Sequence, residues 1–587
     1  MTKFRWIFTL VNFAMTIVFC TDCFDYKDNS IETSLAATFD FKPNINMRYG
    51  SNNNVHNWRA TPINYMLWKT ENGGENAMYV NPFANIQLDF PDRVKDWNEE
   101  FAELKSTDTI DLLKKSNKMS DRLIEFGHDE YRSRNWNDAL NFFSQALGYA
   151  EPNTMYEGLA HGNRALCFFQ MGIYQKAVID FEFAMDKNCP EQFLIDVQST
   201  RAECQKLAKK HTQPKVRMPK LHLPDKKFPC MSNNLEIKRN NDFGRCIFAK
   251  RDIDVGQTVF VAENFASVIT TDNQVYCLAC HKIEMNFIGC KNCANVMFCN
   301  DDCMNWYNLH KMECRTCYHQ IEDCHVKFII QTLLVAIDIF PNIDSLIKFV
   351  EETISDQGCD KIPKTSCDAT SKYGIFLKLT PSLKDDYMFR AYQAFACISL
   401  IPKVNYLFDT ERKQRFLMHL LLQHTIVIPK NAFFDEAQFS DQYTVEYIFD
   451  VLSMVNHSCI PNLSFDTVGS KLGHCMAVRP IKKGDQVFIN YLGNDVHKPV
   501  EQRQKALKGN WGFDCKCDKC EPVEQTPENE AIRADPSFKY VMRNCEIIDD
   551  NTKRMQLKKQ CIKFLKKYGN LPWSTELDFV IDCFTSL

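Results

Sequence analysis

The sequence has almost no excess charge of either sign. Its 587 residues include 70 Lys and Arg against 74 Asp and Glu, which leaves a formal net charge of -4. A protein whose whole surface binds nucleic acid carries a strong positive excess, so that class is excluded, although local basic segments stay open. The 45% hydrophobic and 25% charged fractions exclude a disordered chain and predict a globular protein of several domains.

The N-terminal apolar run is short of the length that crosses a bilayer. Lys3 and Arg5 precede this run, which extends from Trp6 to Cys20 and has the size of the hydrophobic part of a signal peptide. Residues 1–25 are therefore either a signal-like or anchoring segment or a retained start. The thiolate motifs described below favour a reducing compartment, so we predict a location in cytoplasm and nucleus and no membrane partner.

A helical repeat follows a polar region at 26–115 for which no function is predicted. Within residues 116–210 a small, small, aromatic, small pattern occurs twice with the same spacing, at Gly127, Ala139, Phe143 and Ala146 and at Ala165, Ala177, Phe181 and Ala184. Small residues let antiparallel helices approach closely. The pattern resembles tetratricopeptide repeats, with a plain helical bundle as the alternative, and a third helix is predicted from Gln192 to Lys209.

The next segments change from linker to strands. Residues 211–232 are basic and rich in proline, which is typical of an extended linker. Within residues 233–276, Gly244 to Ala249 leads into Ile253 to Phe260, and turn residues separate two apolar strands. This kind of pattern returns only after residue 430, which indicates an insertion.

The insertion begins with four pairs of soft metal ligands within residues 277–314. The pairs are Cys277 and Cys280, Cys290 and Cys293, Cys299 and Cys303, and His310 and Cys314. Eight ligands of this kind fit two tetrahedral zinc ions, with Zn–S distances of about 2.3 Å and Zn–N distances of about 2.0 Å. Sites closed by four protein ligands are structural. The charges of the segment nearly balance, which argues against a nucleic-acid-binding finger.

Residues 315–430 carry apolar residues at helical spacing. The predicted helices run from Val326 to Ile339, Ile343 to Ile354, Asp386 to Leu400 and Thr410 to Ile428. They make a helical insert that could form one wall of a groove, although such apolar stripes are more often plain core.

A polar heptapeptide stands out within residues 431–495. It runs from Asn456 to Asn462, after an apolar run that ends at Val455 and before a strand-like run that ends in Tyr491. This position indicates a buried site. Three thiolates follow within residues 496–522, at Cys515, Cys517 and Cys520, without a fourth ligand nearby. Residues 523–587 have a helical pattern.

In their order, these parts resemble a SET-domain lysine methyltransferase. The parts are the Gly244 segment, the heptapeptide NHSCIPN, the GDxxxxxY run and the terminal cysteines. The four ligand pairs resemble a MYND finger, and a finger that splits the SET region is typical of the SET and MYND family. The helical repeats point towards its type-four branch.

The resemblance implies an α+β multidomain fold. It comprises N-terminal TPR-like α-helical repeats, a β-rich SET domain split by a MYND zinc finger and a helical insert, a zinc-binding post-SET loop and a short helical C-terminus. Three zinc ions are implied, two in the finger and one after the SET domain. Their ligand sets are Cys277, Cys280, Cys299 and Cys303; Cys290, Cys293, His310 and Cys314; and Cys459, Cys515, Cys517 and Cys520.

The resemblance also implies transfer of methyl groups from S-adenosyl-L-methionine to a lysine of a protein substrate. Tyr491 is the implied catalytic residue, and Trp511 and Phe513 are the aromatic walls of the lysine channel. The implied cofactor-binding residues are Gly244, Arg245, Asn431, Asn456, His457, Tyr491 and Phe513. A free lysine has a pKa of about 10.4, so the channel must desolvate the ammonium group to favour the neutral amine.

Two departures from the family pattern leave an alternative open. Cys246 stands where many relatives have glycine or histidine, and Trp511 stands where tyrosine is common. The alternative is a scaffold with little or no turnover, acting as a corepressor or chaperone adaptor. The expected partners are a protein substrate, proline-containing peptides at the finger and chaperones or corepressors at the repeats, with no specific nucleic acid.

Overall fold

The computed structural model describes residues 81–587 apart from short gaps. The gaps are 107–113, 211–217, 241–242, 272–274, 283–285, 295, 356–361, 383–385, 437–442, 469–471, 522–527 and 546–550. The predicted segment 1–25, most of 26–115 and the start of the linker therefore lie outside the described residues.

The elements are numbered here in chain order. The helices are α1 Ile86–Asp89, α2 Pro91–Ser106, α3 Asn117–Arg132, α4 Trp136–Tyr149, α5 Met155–Gln170, α6 Tyr174–Asp186, α7 Glu191–Asp196, α8 Gln198–Lys210, α9 Asp301–Trp306, α10 His310–Glu313, α11 Cys324–Ile339, α12 Ile343–Ser355, α13 Ala369–Leu377, α14 Asp386–Cys397, α15 Pro402–Asn405, α16 Glu411–Asn431, α17 Val500–Trp511, α18 Glu528–Ala534, α19 Pro536–Asn544, α20 Asn551–Tyr568 and α21 Thr575–Thr585. The strands are β1 Leu235–Asn240, β2 Gly244–Ala249, β3 Thr258–Glu263, β4 Ala266–Thr271, β5 Ile288–Gly289, β6 Met297–Phe298, β7 Ala432–Glu436, β8 Tyr443–Ile448, β9 Asn456–His457, β10 Leu463–Val468, β11 Leu472–Ala477 and β12 Phe488–Ile489.

The chain forms two compact units, each built from three stretches of sequence. Of the described residues, the first unit comprises those within 81–215, 271–330 and 385–422, and the second comprises those within 216–270, 331–384 and 423–587. The repeats and the finger fall in the first unit. The heptapeptide and the terminal cysteines fall in the second.

In the first unit, the repeated small residues are the contact points of two antiparallel helix pairs, α3–α4 and α5–α6. The five alanines of the pattern are fully buried, and Phe143 and Phe181 are only 1% exposed. A Cβ atom built on Gly127 would lie 2.4 Å from the Cε1 atom of Phe143. Glycine is therefore required where the ring packs against α3, as the pattern predicts.

The predicted third helix is two helices. The chain breaks at Val197, between α7 and α8. Val197 is itself buried. The ring of Phe193 in α7 packs against Gly162 of α5, where an added Cβ atom would lie 2.3 Å from the Phe193 Cε1 atom. The apolar period continues across the break because both helices pack in the same unit, which explains why the sequence indicated a single helix.

The finger segment shares one hydrophobic core with the helix pairs. Leu123, Phe143 and Phe168 belong to the same buried cluster as Cys277, Phe287 and Phe298. Polar contacts join the two parts as well: the Arg164 guanidinium, fully buried against Asp180, also donates to the carbonyl of Phe287 at 2.9 Å. The finger is thus an integral part of this unit, because its apolar side chains have no separate core.

Residues 81–106 also fold, although their sequence is polar and weakly periodic. Phe83 and Trp97 pack edge-on against Tyr392 of α14, with ring centroids 5.8 and 5.7 Å apart. Arg93 lies over the ring of Phe389 at 4.4 Å. A few aromatic side chains hold this segment, so no sustained helical period marks it in the sequence.

The second unit is built from small sheets. Three of them are β10-β11-β3, β4-β8-β7 and the β1-β2 pair. The pairings of β1 with β2, β10 with β11, β11 with β3 and β7 with β8 are antiparallel. The turn predicted between Ile253 and Phe260 is present, since the Gln257 amide donates to the Asp254 carbonyl and Gly256 has a φ of +87°. The strand after the turn begins at Thr258, and Ile253 pairs separately with Ile481.

Two groups of helices complete the second unit, one from the helical insert and one from the C-terminal segment. In the insert, His424 of α16 is fully buried with Thr332 and Tyr373 on its two ring nitrogens, each 3.0 Å away. Helix α16 continues past the predicted end at Ile428 to Asn431, with Pro429 inside it. The C-terminal helices α18–α21 pack in one buried hydrophobic cluster, to which Val255 and Val478 also belong.

Among the described residues, no single helix is both long and apolar enough to cross a membrane.

Candidate active site

The heptapeptide is positioned by a short parallel pairing. Strand β9 holds Asn456 and His457 and pairs with β12, so that Phe488 faces Asn456 and Ile489 faces His457. A buried 3-10 turn, Leu452–Met454, precedes the strand. Because Tyr491 follows β12 by two residues, this register brings two distant stretches of the chain together at one point.

Both polar ends of Tyr491 are held by the heptapeptide side of this pairing. Its hydroxyl donates to the Val455 carbonyl at 2.6 Å, and its backbone N–H donates to Nδ1 of His457 at 3.0 Å. Burial raises the pKa of the Tyr491 phenol well above its ordinary value, so the hydroxyl keeps its proton at neutral pH. A protonated, oriented hydroxyl is the arrangement that the predicted role requires.

The imidazole of His457 connects Tyr491 to a cysteine cluster. Burial lowers the pKa of His457 to about 4, so the ring is neutral near pH 7. Because Nδ1 accepts from Tyr491, the ring proton lies on Nε2, which is 3.3 Å from Sγ of Cys459. The ring therefore links the backbone of Tyr491 to the sulfur of a predicted zinc ligand.

The two predicted cofactor segments lie side by side. The Asn456 amide nitrogen lies 3.1 Å from the Arg245 carbonyl and 3.4 Å from Sγ of Cys246. Gly244 has a φ of +69°, a conformation that favours glycine. Cys246 is buried in β2, opposite Lys238, so the strand accommodates the residue that departs from the family pattern.

Asn431 is the last residue of α16 and contacts the turn that precedes the heptapeptide. Its amide group donates to the carbonyls of Val427 at 2.7 Å and Thr380 at 2.8 Å. The Asn431 carbonyl accepts from the Ser453 hydroxyl at 2.9 Å, which joins it to the turn before β9. The backbone therefore engages the amide nitrogen of Asn431 through two hydrogen bonds.

Aromatic rings surround the Tyr491 and His457 pair. The Trp511 ring centroid lies 5.3 Å from that of Tyr491, and the Phe513 centroid lies 6.0 Å from that of His457. Helix α17 ends at Trp511 because Gly512 adopts a left-handed φ of +84°, and this turn places Phe513 next to the site. Trp511 also donates from Nε1 to the Lys430 carbonyl at 3.2 Å.

The structure brings the three predicted ligand sets together as three separate clusters. In each cluster the ligand atoms lie within 4.8 Å of one another: Cys277, Cys280, Cys299 and Cys303; Cys290, Cys293, His310 and Cys314; Cys459, Cys515, Cys517 and Cys520. Sulfur atoms at the corners of a tetrahedron around zinc are about 3.8 Å apart, given a Zn–S distance of about 2.3 Å. Cys459 and Cys520 are 3.6 Å apart, so the third cluster fits such an ion.

Sequence reasoning missed several residues that hold this site. The carbonyl of Val455 and the side chains of Arg503, Lys519 and Arg479 carry no motif signal, since each acts through a contact with a distant stretch. Arg503, for example, donates to the Lys519 carbonyl at 2.9 Å and lies 3.4 Å from Sγ of Cys520. His281 and Cys317, which the sequence left without a role, belong to none of the three clusters.

The chain shows clear similarity to known proteins over this architecture. Residues 244–492 match the SET domain family. The human protein-lysine N-methyltransferase SMYD4 is 20% identical over 536 aligned positions, which cover 68% of this chain and 66% of that protein. The Danio rerio SMYD4 is 21% identical, with 73% and 69% covered, and the Xenopus laevis N-lysine methyltransferase SMYD2-A is 22% identical, with 49% and 61% covered.

The SET match and the site built on β9 and β12 define the chain as a SET-domain protein. The similarity extends beyond this domain. Over 68% and 73% of its length, the chain is similar to the human and Danio rerio protein-lysine N-methyltransferases SMYD4. It spans just under two thirds of the human relative's length.

Proposed function

We propose that this protein transfers methyl groups from S-adenosyl-L-methionine to the lysine amine of a protein substrate. The observation that carries this proposal is the placement of Tyr491, whose hydroxyl is fixed by the Val455 carbonyl and whose ring packs with Trp511 and His457. Phe513 packs in turn with His457. The cofactor supplies an electrophilic methyl group on a sulfonium. Tyr491 and the residues around it bind and orient the acceptor lysine.

The chain's own groups perform the remaining steps. Trp511 and Phe513 exclude water from the side chain of the incoming lysine, which disfavours its charged form and lowers its pKa. The Val455 carbonyl and the Tyr491 hydroxyl offer oxygen atoms to which the neutral amine can donate, so that its lone pair faces the methyl group. Alignment of this kind accounts for a large part of the rate of a displacement reaction.

Asn456, the Gly244 segment and Asn431 are the residues proposed to hold the cofactor. Asn456 and Arg245 are adjacent, and the positive φ of Gly244 permits close approach of a ligand to the backbone. Phe513 serves both sites, since its ring borders His457. The three cysteine clusters are proposed to hold three zinc ions, each with a structural role.

The finer domain assignments belong to this proposal as well. The helix pairs α3–α6 are proposed to be TPR-like repeats and the segment 277–314 a MYND finger, because of the repeated contact points and the two interleaved ligand sets. The proposed partners are proline-containing peptides at the finger and chaperones or corepressors at the repeats. We propose a location in cytoplasm and nucleus, where free thiolates stay reduced.

The test is methyl transfer from labelled cofactor into a cell extract, with calorimetry of cofactor binding beside it. Tyr491→Phe should bind the cofactor and lose most of its transfer activity, by about 100-fold or more, because the hydroxyl acts in the transition state. Tyr406→Phe, which alters an exposed tyrosine, is the control. Cofactor binding without transfer by the unmodified chain would favour the scaffold function instead.

A further inference from the structure

The C-terminal segment contacts the cysteine loop at Lys519. Lys519 lies between the zinc-ligand candidates Cys517 and Cys520 and forms an ion pair with Asp578 of α21. The side chains are only 7% and 19% exposed. The Lys519 ammonium also lies over the ring of Trp573, 5.5 Å from its centroid. A lysine held by a carboxylate and an aromatic ring, both mostly out of water, has little freedom to move.

A second contact joins the C-terminal segment to the heptapeptide. Arg479 donates to the Gly569 carbonyl at 2.6 Å and to the Leu571 carbonyl at 2.8 Å, and a third nitrogen lies 3.5 Å from the Ile460 carbonyl. Ile460 directly follows Cys459 in the sequence. The same short stretch, 569–573, is therefore linked through Arg479 to the residue after one zinc-ligand candidate, and its Trp573 contacts the lysine between two others.

Helix α21 presents carboxylates toward the region around the loop. Asp578 and Asp582 are one helical turn apart. Asp578 pairs with Lys519, and an Asp582 carboxylate oxygen lies 3.7 Å from Nε2 of His497. The loop is also held by α17, where the Gln504 side chain donates to the Cys515 carbonyl at 2.6 Å and accepts from the Cys515 amide at 2.9 Å. Two helices thus hold the loop.

We infer that α21 and the 569–573 stretch position the cysteine loop for methyl transfer, with Lys519, Asp578 and Arg479 as positioning residues. This inference rests on the proposed function. Phe513 stands two residues before Cys515 and packs with Cys459, Cys515 and Cys520 in one small core. A shift of the loop therefore moves a proposed wall of the lysine channel, although neither Lys519 nor Asp578 is among the residues proposed to hold the cofactor or the lysine.

The test is Asp578→Asn in the full chain, followed by hydrogen exchange and metal analysis. Exchange of the amides of residues 513–521 should become about fivefold faster or more, because the loop loses one of its two supports. Zinc content should stay unchanged, since all four ligands of the third cluster remain. The value of kcat/KM should fall about 3- to 10-fold, mainly through KM for the protein substrate, because the wall of the channel is less fixed.

Two further variants make the result specific. Glu576→Gln removes the contact of α21 with Arg533 of α18, which does not reach the loop, and should leave exchange in 513–521 unchanged. The double variant Lys519→Asp with Asp578→Lys restores an opposite-charge pair and should recover slow exchange and kcat/KM at least in part.

Unchanged exchange at 513–521 in Asp578→Asn would overturn the inference. Loss of the third zinc ion would also overturn it, because the pair would then support the metal site and not the position of the loop. If the unmodified chain transfers no methyl group, the proposed function fails, and the exchange experiment still decides whether α21 positions the loop.

Discussion

At the scale of single residues, His457 couples parts of the site that are far apart in sequence. Its Nδ1 fixes the backbone of Tyr491 and its Nε2 faces Cys459. Asparagine and glutamine can each replace one ring nitrogen of histidine. The asparagine side-chain oxygen occupies the position of Nδ1, and the terminal amide of glutamine reaches the position of Nε2.

His457→Asn should therefore retain more activity than His457→Gln. The asparagine oxygen can still accept from the Tyr491 amide, whereas the glutamine leaves that amide without its acceptor, a loss of about 1–3 kcal/mol when buried. We expect kcat for the glutamine variant to be about tenfold lower than for the asparagine variant. Steady-state kinetics with labelled cofactor measures this, and equal kcat values would contradict it.

His424 predicts a pH dependence of stability. Its complete burial lowers its pKa to about 3, whereas an unfolded histidine has a pKa of about 6.5. Between these values the unfolded chain binds one more proton than the folded chain. The free energy of unfolding should therefore fall as the pH drops below about 6.5, by about 1.4 kcal/mol per pH unit from this residue.

The variant His424→Gln removes this contribution. Denaturant unfolding between about pH 5 and pH 7.5 should show a shallower pH dependence, by about one proton, and a lower stability at the upper end, because the hydrogen bonds with Thr332 and Tyr373 are altered. An unchanged slope would show that another buried group dominates the acid response.

At the scale of elements, the contact between α4 and the finger depends on a glycine. A Cβ atom on Gly148 would lie 2.4 Å from the Ala294 carbonyl oxygen, which is backbone and cannot move away cheaply. The Lys115 ammonium donates to the Gly148 carbonyl at 2.6 Å, so the junction is tight on both sides of this residue.

Gly148→Ala should destabilise the first unit by about 1–3 kcal/mol, the range of overpacking in a filled interior. Gly509→Ala in α17 is the matched control, because a Cβ there meets nothing within 4 Å, and alanine in a helix is favoured over glycine by about 1 kcal/mol. Thermal unfolding of both variants is the measurement. A neutral Gly148→Ala would mean that α4 and the finger separate easily.

The sequence predicts an element well when residues close together in the chain determine it, and poorly when contacts with distant residues do. Gly244 to Ala249 and the turn at Gly256 are set by local pattern, and the structure has them as predicted. Residues 81–106 were left without a prediction because isolated aromatic contacts hold them. The break at Val197 was missed because the apolar period continues through it. The contacts of α21 with the loop join residues about 60 positions apart and have no sequence signal.

At the scale of the whole molecule, the three clusters of potential metal ligands divide between the two units. Two clusters lie in the unit that contains the helix pairs, and the third lies in the unit that contains Tyr491. In the first unit the ligands share a core with Phe143 and Phe168. The finger is therefore expected to stabilise the helix pairs directly.

Cys293→Ala should expose this dependence. Removal of one finger ligand should lower hydrogen-exchange protection in α3–α6 by at least about tenfold, because the shared core loses its metal support. Strands β2 and β9, which belong to the other unit, should keep their protection. Unchanged exchange in α3–α6 would contradict the dependence of the helix pairs on the finger.

The ligand pairs, the repeated small residues and the order of motifs can be read from the sequence, since each depends on spacing along a few turns of chain. Which groups meet depends on the folded chain. The pairing of β9 with β12 places the Tyr491 amide on His457, and the packing of α21 places Asp578 on Lys519. Such contacts arise from register and packing between distant stretches, where one residue of displacement would separate the partners.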